Sequence, residues 1–304
     1  MSSTRIISKV FVGCCLSTTF MEIIVVNKPD AANLVTFSQF LSIALQGLLA
    51  MRESVLSPNI PLKHYLILIC LFFATSVANN YVYTLHVPST LHMIIRSAAS
   101  PASMLVSWYV KRKKPKLNSL IGSIIITFGV FIATYGDATI IEKRQGKFFQ
   151  WCMGVILLLV TLISGAFTGL QQESLYTKYG KHPQEMLFFT HAIPVPLFLV
   201  ISSELYSVAL SLSIYLWLLL VINTVSQFFC SSSVHELATK ETSVTVTFIL
   251  TIRKFLSLLI SSIVFKNSIT IYHIVGSVLV FIGTYFYFDF FYNMKQQPVK
   301  YKKK

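Results

Sequence analysis

Two adjacent cations, Arg253 and Lys254, sit near the middle of an apolar run that extends from Val244 to Phe265. At about 1.5 Å of rise per helical residue, a run of that length crosses a bilayer. A charge at that depth costs ~2.5–3.5 kcal/mol on insertion scales, so it ordinarily faces a protein interior or a wet cavity and marks a pathway. A second run carries the same pattern. Thr90-Leu91-His92-Met93-Ile94-Ile95-Arg96-Ser97 parallels Val246-Thr247-Phe248-Ile249-Leu250-Thr251-Ile252-Arg253-Lys254 and sets Arg96 against Arg253. Three deep cations need compensation. Glu22 is the one acid clearly inside an apolar run, whereas Asp137, Glu173, Glu185, Glu204, Glu241 and Asp289 fall at or beyond run ends. One carboxylate cannot neutralise three cations, which assigns the missing charge to a ligand. A phosphate or pyrophosphate fits, because guanidinium forks match phosphate oxygens and Lys adds a point charge. The competing arrangement has the arginines bonding backbone carbonyls or Glu22, or snorkelling. Snorkelling is poor for residues so far from both membrane faces.

Other polar side chains within apolar runs are candidates for the rest of such a ligand: the pair Asn79 and Asn80 with Tyr83, His92 one turn from Arg96, Gln39, Gln227 and, with a weaker claim, His191. Each could hydrogen-bond a base, ribose or sugar, or could serve as an interhelical hydrogen bond worth ~1 kcal/mol. Asn79, Asn80 and His92 have the better claim to the ligand role. The aromatics are too abundant for any one to be chosen as a stacking platform.

The elements that must position these residues follow from composition. The 304-residue chain is 54% hydrophobic and 12% charged, far from the roughly 25% charged of soluble domains. Its apolar segments are helix-length rather than alternating ten-residue strands, which predicts an all-α membrane protein. Ten transmembrane helices are expected, at about 7–26, 33–51, 64–83, 88–110, 118–136, 151–172, 186–203, 212–234, 243–265 and 270–292, the segment 212–234 turning polar at Ser231-Ser232-Ser233. Of the 25 Lys and Arg, seventeen fall on one alternating set of connections and termini, five on the other and three within spans. The positive-inside rule then places both termini in the cytosol and requires an even number of spans. The run Lys111-Arg112-Lys113-Lys114-Pro115-Lys116 is read as a topology anchor, so the net charge of +14 calls for a lipid bilayer and no nucleic acid.

The chain also repeats itself. Ile121-Gly122-Ser123 with Gly129 matches Val275-Gly276-Ser277 with Gly283, and Ala133-Thr134-Tyr135 matches Gly283-Thr284-Tyr285. Two five-helix repeats are expected, 1–140 and 146–294, followed by a basic cytosolic tail at 295–304. Because five is odd, the second repeat enters the membrane inverted, a signature of secondary transporters whose substrate binds where the halves meet. The Gly spacing puts both glycines on one helix face for close packing. The five cysteines, all within apolar runs, show no CxxC spacing and are expected as free buried thiols with no metal site and no cofactor. The first span is expected to remain rather than be cleaved as a signal peptide. With no catalytic triad, HExxH, phosphate loop or deep carboxylate pair, an enzyme is not expected. A receptor needs no inverted halves.

Several stretches together resemble the nucleotide-sugar transporters of the drug/metabolite transporter superfamily, most closely the UDP-xylose and UDP-N-acetylglucosamine transporter branch. They are Gly13-Cys14-Cys15, Val35-Thr36-Phe37 with Gln39-Phe40, Ser76-Val77 with Asn79-Asn80-Tyr81, Leu91-His92-Met93-Ile94 with Arg96-Ser97, Gly180-Lys181-His182 with His191-Ala192, Leu250-Thr251-Ile252-Arg253-Lys254-Phe255 and Phe281-Ile282-Gly283-Thr284. The resemblance implies exchange of a cytosolic UDP-sugar (UDP-xylose, UDP-N-acetylglucosamine or both) for luminal UMP across the Golgi or endoplasmic reticulum membrane, by alternating access. It also implies that Arg253, Lys254 and Arg96 hold the nucleotide phosphates. A different phosphorylated metabolite or organic anion on the same architecture is the alternative, and a homodimer is compatible with it. The tail Lys300-Tyr301-Lys302-Lys303-Lys304 reads either as a dilysine signal recognised by a retrieval coat or as a plain topology-setting basic tail.

Overall fold

The computed structural model describes residues 3–55, 57–112, 114–141, 147–180, 182–240, 243–265 and 270–288. The basic tail and its retrieval reading lie outside these residues, as do Lys113, the Lys143-Arg144 pair, Lys181, Glu241 and Asp289. Among the described residues every regular element is helical: α1 (Ser3–Asn27), α2 (Ala32–Met51), α3 (Leu62–Thr84), α4 (Ser89–Ser97), α5 (Ala99–Lys111), α6 (Leu117–Ile141), α7 (Phe148–Tyr179), α8 (Pro183–Ala192), α9 (Ser202–Ser211), α10 (Ile214–Lys240), α11 (Ser243–Phe265) and α12 (Ile271–Tyr287), with short 3-10 turns between some of them. A chain this apolar satisfies its backbone internally as helix. Its hydroxyls follow the same logic: Ser38, Ser76, Thr127 and Thr168 return their protons to the carbonyls four residues earlier.

Among the described residues, seven stretches are long and apolar enough to cross a membrane: Thr4–Asn27, Pro29–Met51, Leu62–Thr84, Leu117–Ile141, Phe148–Tyr179, Pro183–Ser211 and Ile214–Val234. Ten were expected, and α4, α5, α11 and α12 fall outside that count. The span expected at 88–110 is broken at Ala98. Pro101 has no N–H for the carbonyl of Ser97 four residues back, and its ring crowds that carbonyl, so α4 ends there and α5 restarts. The span expected at 186–203 is likewise two helices joined by a 3-10 segment, Val195–Ile201, at Pro194 and Pro196, and its second half continues to Ser211. Conversely, Ser231-Ser232-Ser233 does not end a helix: α10 runs on to Lys240.

Helix pairing is specific. α6 packs on α12, α1 on α10, α3 on α7, α2 on α8, α5 on α7, α1 on α11 and α4 on α11. The α6–α12 seam is set by glycine. A Cβ on Gly129 would stand 2.7 Å from the carbonyl oxygen of Gly276, and one on Gly122 would stand 2.5 Å from that of Gly283. The pairs match in reverse order, so the two helices run antiparallel with backbones touching. Ile126, Val130, Ala133 and Val280 fill the space beside them.

A further joint corrects the sequence reading. Cys14 of α1 and Cys230 of α10 form a disulfide, whereas all five cysteines were expected free; Cys15, Cys70 and Cys152 are free. The pair lies 216 residues apart in sequence, so no local spacing announces it. Gly13 permits it, because a Cβ there would already sit 3.1 Å from the Cys230 nitrogen.

Candidate functional site

A cavity of about 230 Å³ opens among α2, α3, α4, α8 and α10. Six of the residues singled out from sequence line it: Gln39, Asn79, Asn80, Arg96, Gln227 and the weaker candidate His191. α4 delivers Arg96 because Pro88 precedes its first residue and the break at Ala98 ends it at Ser97, so the arginine occupies the last turn. Arg96 is exposed, and what it faces is this cavity. No ion pair or hydrogen bond engages it among the described residues.

Arg253 and Lys254 stand beside the cavity rather than in its lining. α11 packs on both α4 and α1, which brings the three cations within electrostatic reach: Lys254 feels both Arg96 and Arg253, and Arg253 feels Arg96. α11 is tied to α1 by a ladder at four-residue intervals. Arg253 Nη1 donates to the Cys14 carbonyl at 3.5 Å and to Thr18 Oγ1 at 3.3 Å. Ser257 Oγ donates to Cys15 Sγ at 3.5 Å and Ser261 Oγ to Glu22 Oε1 at 2.6 Å. Glu22, the acid expected among the cations, is therefore buried and engaged by Ser261.

Three further helical acids are held by donors from elsewhere in the fold, which revises the sequence count of interior carboxylates. Asp137 is buried near the end of α6, accepts from Trp151 Nε1 and faces His273 Nε2 at 3.9 Å. Glu204 on α9 accepts from Asn33 and Tyr81. Glu185 on α8 accepts from Asn59 N and Nδ2, Ile60 N and Tyr65 Oη. No ion pair joins any of these to Arg96, Arg253 or Lys254 among the described residues. Among the described residues the three cations thus have no carboxylate partner even with more acid present.

The polar lining is partly committed to holding helices together. Asn80 Nδ2 donates to Thr36 Oγ1 at 2.7 Å and to Asn33 Oδ1 at 3.2 Å, Thr161 donates to Asn79 Oδ1 at 2.9 Å, Gln39 Nε2 donates to Asn223 Oδ1 at 2.7 Å and Ser17 donates to Gln227 Oε1 at 2.7 Å. These bonds fix the side chains, and among the described residues no hydrogen bond engages Asn79 Nδ2, Gln39 Oε1 or Gln227 Nε2. Tyr83 and His92 are not in the lining. They stack on each other with ring centres 4.7 Å apart, and Tyr83 faces a second cavity that also holds Asp137 and Lys147. Thr36, Ser76, Phe40 and Phe72 line the first cavity and were not chosen from sequence. Two of them were within reach: Thr36 and Ser76 each stand three residues before a chosen residue, Gln39 and Asn79, on the same helix face. Phe40 and Phe72, stacked at 5.5 Å, had nothing to separate them from the chain's other 22 phenylalanines.

Residues 2–290 match the UAA transporter family. The endoplasmic reticulum GDP-fucose transporter of Drosophila melanogaster is 40% identical over 90% of this chain and 87% of its own length. The UDP-xylose and UDP-N-acetylglucosamine transporter of Danio rerio is 35% identical over 94% of both chains. The UDP-N-acetylglucosamine transporter yea4 of Schizosaccharomyces pombe is 33% identical over 90% of this chain and 92% of its own. A solved crystal structure covers 95% of this chain and 99% of its own with a TM-score of 0.58 at 11% identity, a likeness of fold alone. With deep cations around a central cavity, a membrane-spanning helical bundle and a family match over nearly the whole chain, the protein is a transporter and not an enzyme, and it belongs to the UAA transporter family.

Proposed function

We propose that this protein exchanges a cytosolic UDP-sugar (UDP-N-acetylglucosamine, UDP-xylose or both) for luminal UMP across the Golgi or endoplasmic reticulum membrane, with both termini cytosolic. The observation that carries the reading is Arg96, exposed to the cavity with no ion-pair partner among the described residues, with Arg253 and Lys254 within electrostatic reach. Three cations around one small volume suit the phosphates of a nucleotide, and the lining amides suit its base and sugars. At about 230 Å³ the cavity is smaller than the ~300–1,000 Å³ of typical ligand sites. A nucleotide sugar therefore enters by helix movement, as alternating access requires.

Two inverted five-helix repeats, 1–140 and 146–294, account for the packing. Exchanging the first span of one half for the first of the other, and so on, turns the α1–α10 contact into α7–α3, and α5–α7 into α11–α1. The same exchange leaves α6–α12, α4–α11 and α2–α8 paired with themselves. Gly122 against Gly283 becomes Gly276 against Gly129, which is the other observed pair. The breaks at Ala98 and at Pro194–Pro196 give discontinuous helices around the cavity, as in other transporters.

A second reading has a specific observation behind it. The Drosophila melanogaster relative, a GDP-fucose transporter, is 40% identical, so a GDP-sugar with GMP as counter-substrate competes with the uridine pair. Proteoliposomes loaded with UMP or with GMP, offered a panel of UDP- and GDP-sugars, separate the two. UMP-driven uptake of UDP-N-acetylglucosamine or UDP-xylose is expected. Uptake driven by GMP alone would establish the second reading, and exchange of a phosphorylated metabolite with neither nucleotide would overturn both.

A further inference from the structure

Arg253 does not hang freely beside the cavity. Its Nη1 is held by the Thr18 hydroxyl at 3.3 Å and the Cys14 carbonyl at 3.5 Å. Thr18 donates its own proton to that same Cys14 carbonyl at 2.9 Å, so its oxygen lone pairs are turned to the guanidinium. Cys14 is fixed in turn, since its side chain is bonded to Cys230 on α10. The opposite edge of the guanidinium is different. Nε is buried with no partner, and Nη2 makes no hydrogen bond among the described residues. Nε–H and Nη2–H point the same way on an arginine and form the fork that takes two oxygens of one phosphate.

We infer that Thr18 is a positioning residue for the phosphate site: with the Cys14 carbonyl it holds Arg253 by one nitrogen and so presents the Nε–Nη2 fork to a phosphate. This rests on the reading of Arg253 as a nucleotide ligand and goes one step beyond it. A buried donor without an acceptor is costly, and the orphaned Nε is what a bound phosphate oxygen would satisfy. Both holding contacts are long for hydrogen bonds, so they steer the guanidinium without locking it. Thr18 is not singled out by charge, because a threonine that returns its proton to the preceding turn looks ordinary in any apolar helix.

The test is the UMP dissociation constant of the purified full-length protein for wild type, Thr18→Val, Thr18→Ser, Arg253→Met and the double variant Thr18→Val/Arg253→Met. Valine keeps the shape and removes the acceptor. Thr18→Val is expected to weaken UMP binding about tenfold, the factor that one charged hydrogen bond supports. Thr18→Ser should restore wild-type binding, and the double variant should bind no more weakly than Arg253→Met alone. Additive losses in the double variant, or serine failing to restore what valine removes, would make Thr18 a packing residue and overturn the inference. Wild-type binding by Thr18→Val with weakened binding by Arg253→Met would overturn it too, while leaving the phosphate role of Arg253 standing. Wild-type binding by Arg253→Met would instead sink the phosphate site itself.

Discussion

The α6–α12 seam and the α4–α11 seam are built from matching stretches of the two parts of the chain, yet they solve opposite problems. At the first, Gly122, Gly129, Gly276 and Gly283 let two backbones touch, and apolar side chains close the gaps. At the second, Arg96, Arg253 and Lys254 repel one another and Arg96 faces an open cavity. Helices in lipid gain little from apolar contact as such and associate through close packing and hydrogen bonds. A seam stripped to glycine is therefore a joint. A seam carrying three cations is unstable by itself and becomes favourable when something anionic fills it. The first holds the transporter together; the second is where we propose that the nucleotide phosphates bind.

The contrast can be broken from either side. The largest effect is expected at the charged seam: Lys254→Ala or Arg253→Ala should reduce UMP-driven nucleotide-sugar uptake in proteoliposomes at least ~100-fold, as the loss of a buried charge partner for phosphate implies, with folded yield unchanged. Gly129→Leu should do the reverse. Its side chain meets the Gly276 carbonyl and the side chains of Leu279 and Val280, and overpacking of this kind costs about 1–3 kcal/mol. The thermal transition in detergent should fall while any surviving protein keeps its UMP affinity. Glu185→Gln should act on stability alone. A carboxylate that accepts four hydrogen bonds becomes an amide whose NH₂ confronts donors, at a cost of about 1–3 kcal/mol. The smallest change is expected from Gln227→Leu: it removes one interhelical bond and one cavity amide, worth ~1 kcal/mol, and a roughly fivefold weaker nucleotide affinity would register it.

Charge and repetition were readable from the chain without coordinates. An arginine in the middle of an apolar helix is expensive wherever it sits, so Arg96, Arg253 and Lys254 announced themselves, and the glycines recurring at seven-residue spacing announced a packed face. Helix continuity was harder. Hydropathy marks where a chain is apolar and not where a helix ends, so it ran straight through Pro101, Pro194 and Pro196 and stopped early at 234, where α10 continues to Lys240. The interior acids were missed for a related reason. Asp137, Glu185 and Glu204 lie near the ends of apolar runs, and only the donors that reach them from elsewhere in the fold, such as Trp151, Tyr65 and Tyr81, show that they are held inside. The disulfide between Cys14 and Cys230 depends wholly on the approach of α1 to α10 and leaves no mark on either local sequence.

The most direct measurement is UMP-dependent thermal stabilisation of the purified protein, compared between wild type and Arg96→Gln, the cation that faces the cavity. A ligand at about 100 times its dissociation constant adds roughly 2.7 kcal/mol of stability, which a thermal scan resolves. If Arg96 receives the nucleotide phosphate, wild type should be stabilised by UMP and Arg96→Gln should melt at the same temperature with or without it. Equal stabilisation of both proteins would contradict a phosphate site at the α4–α11 seam.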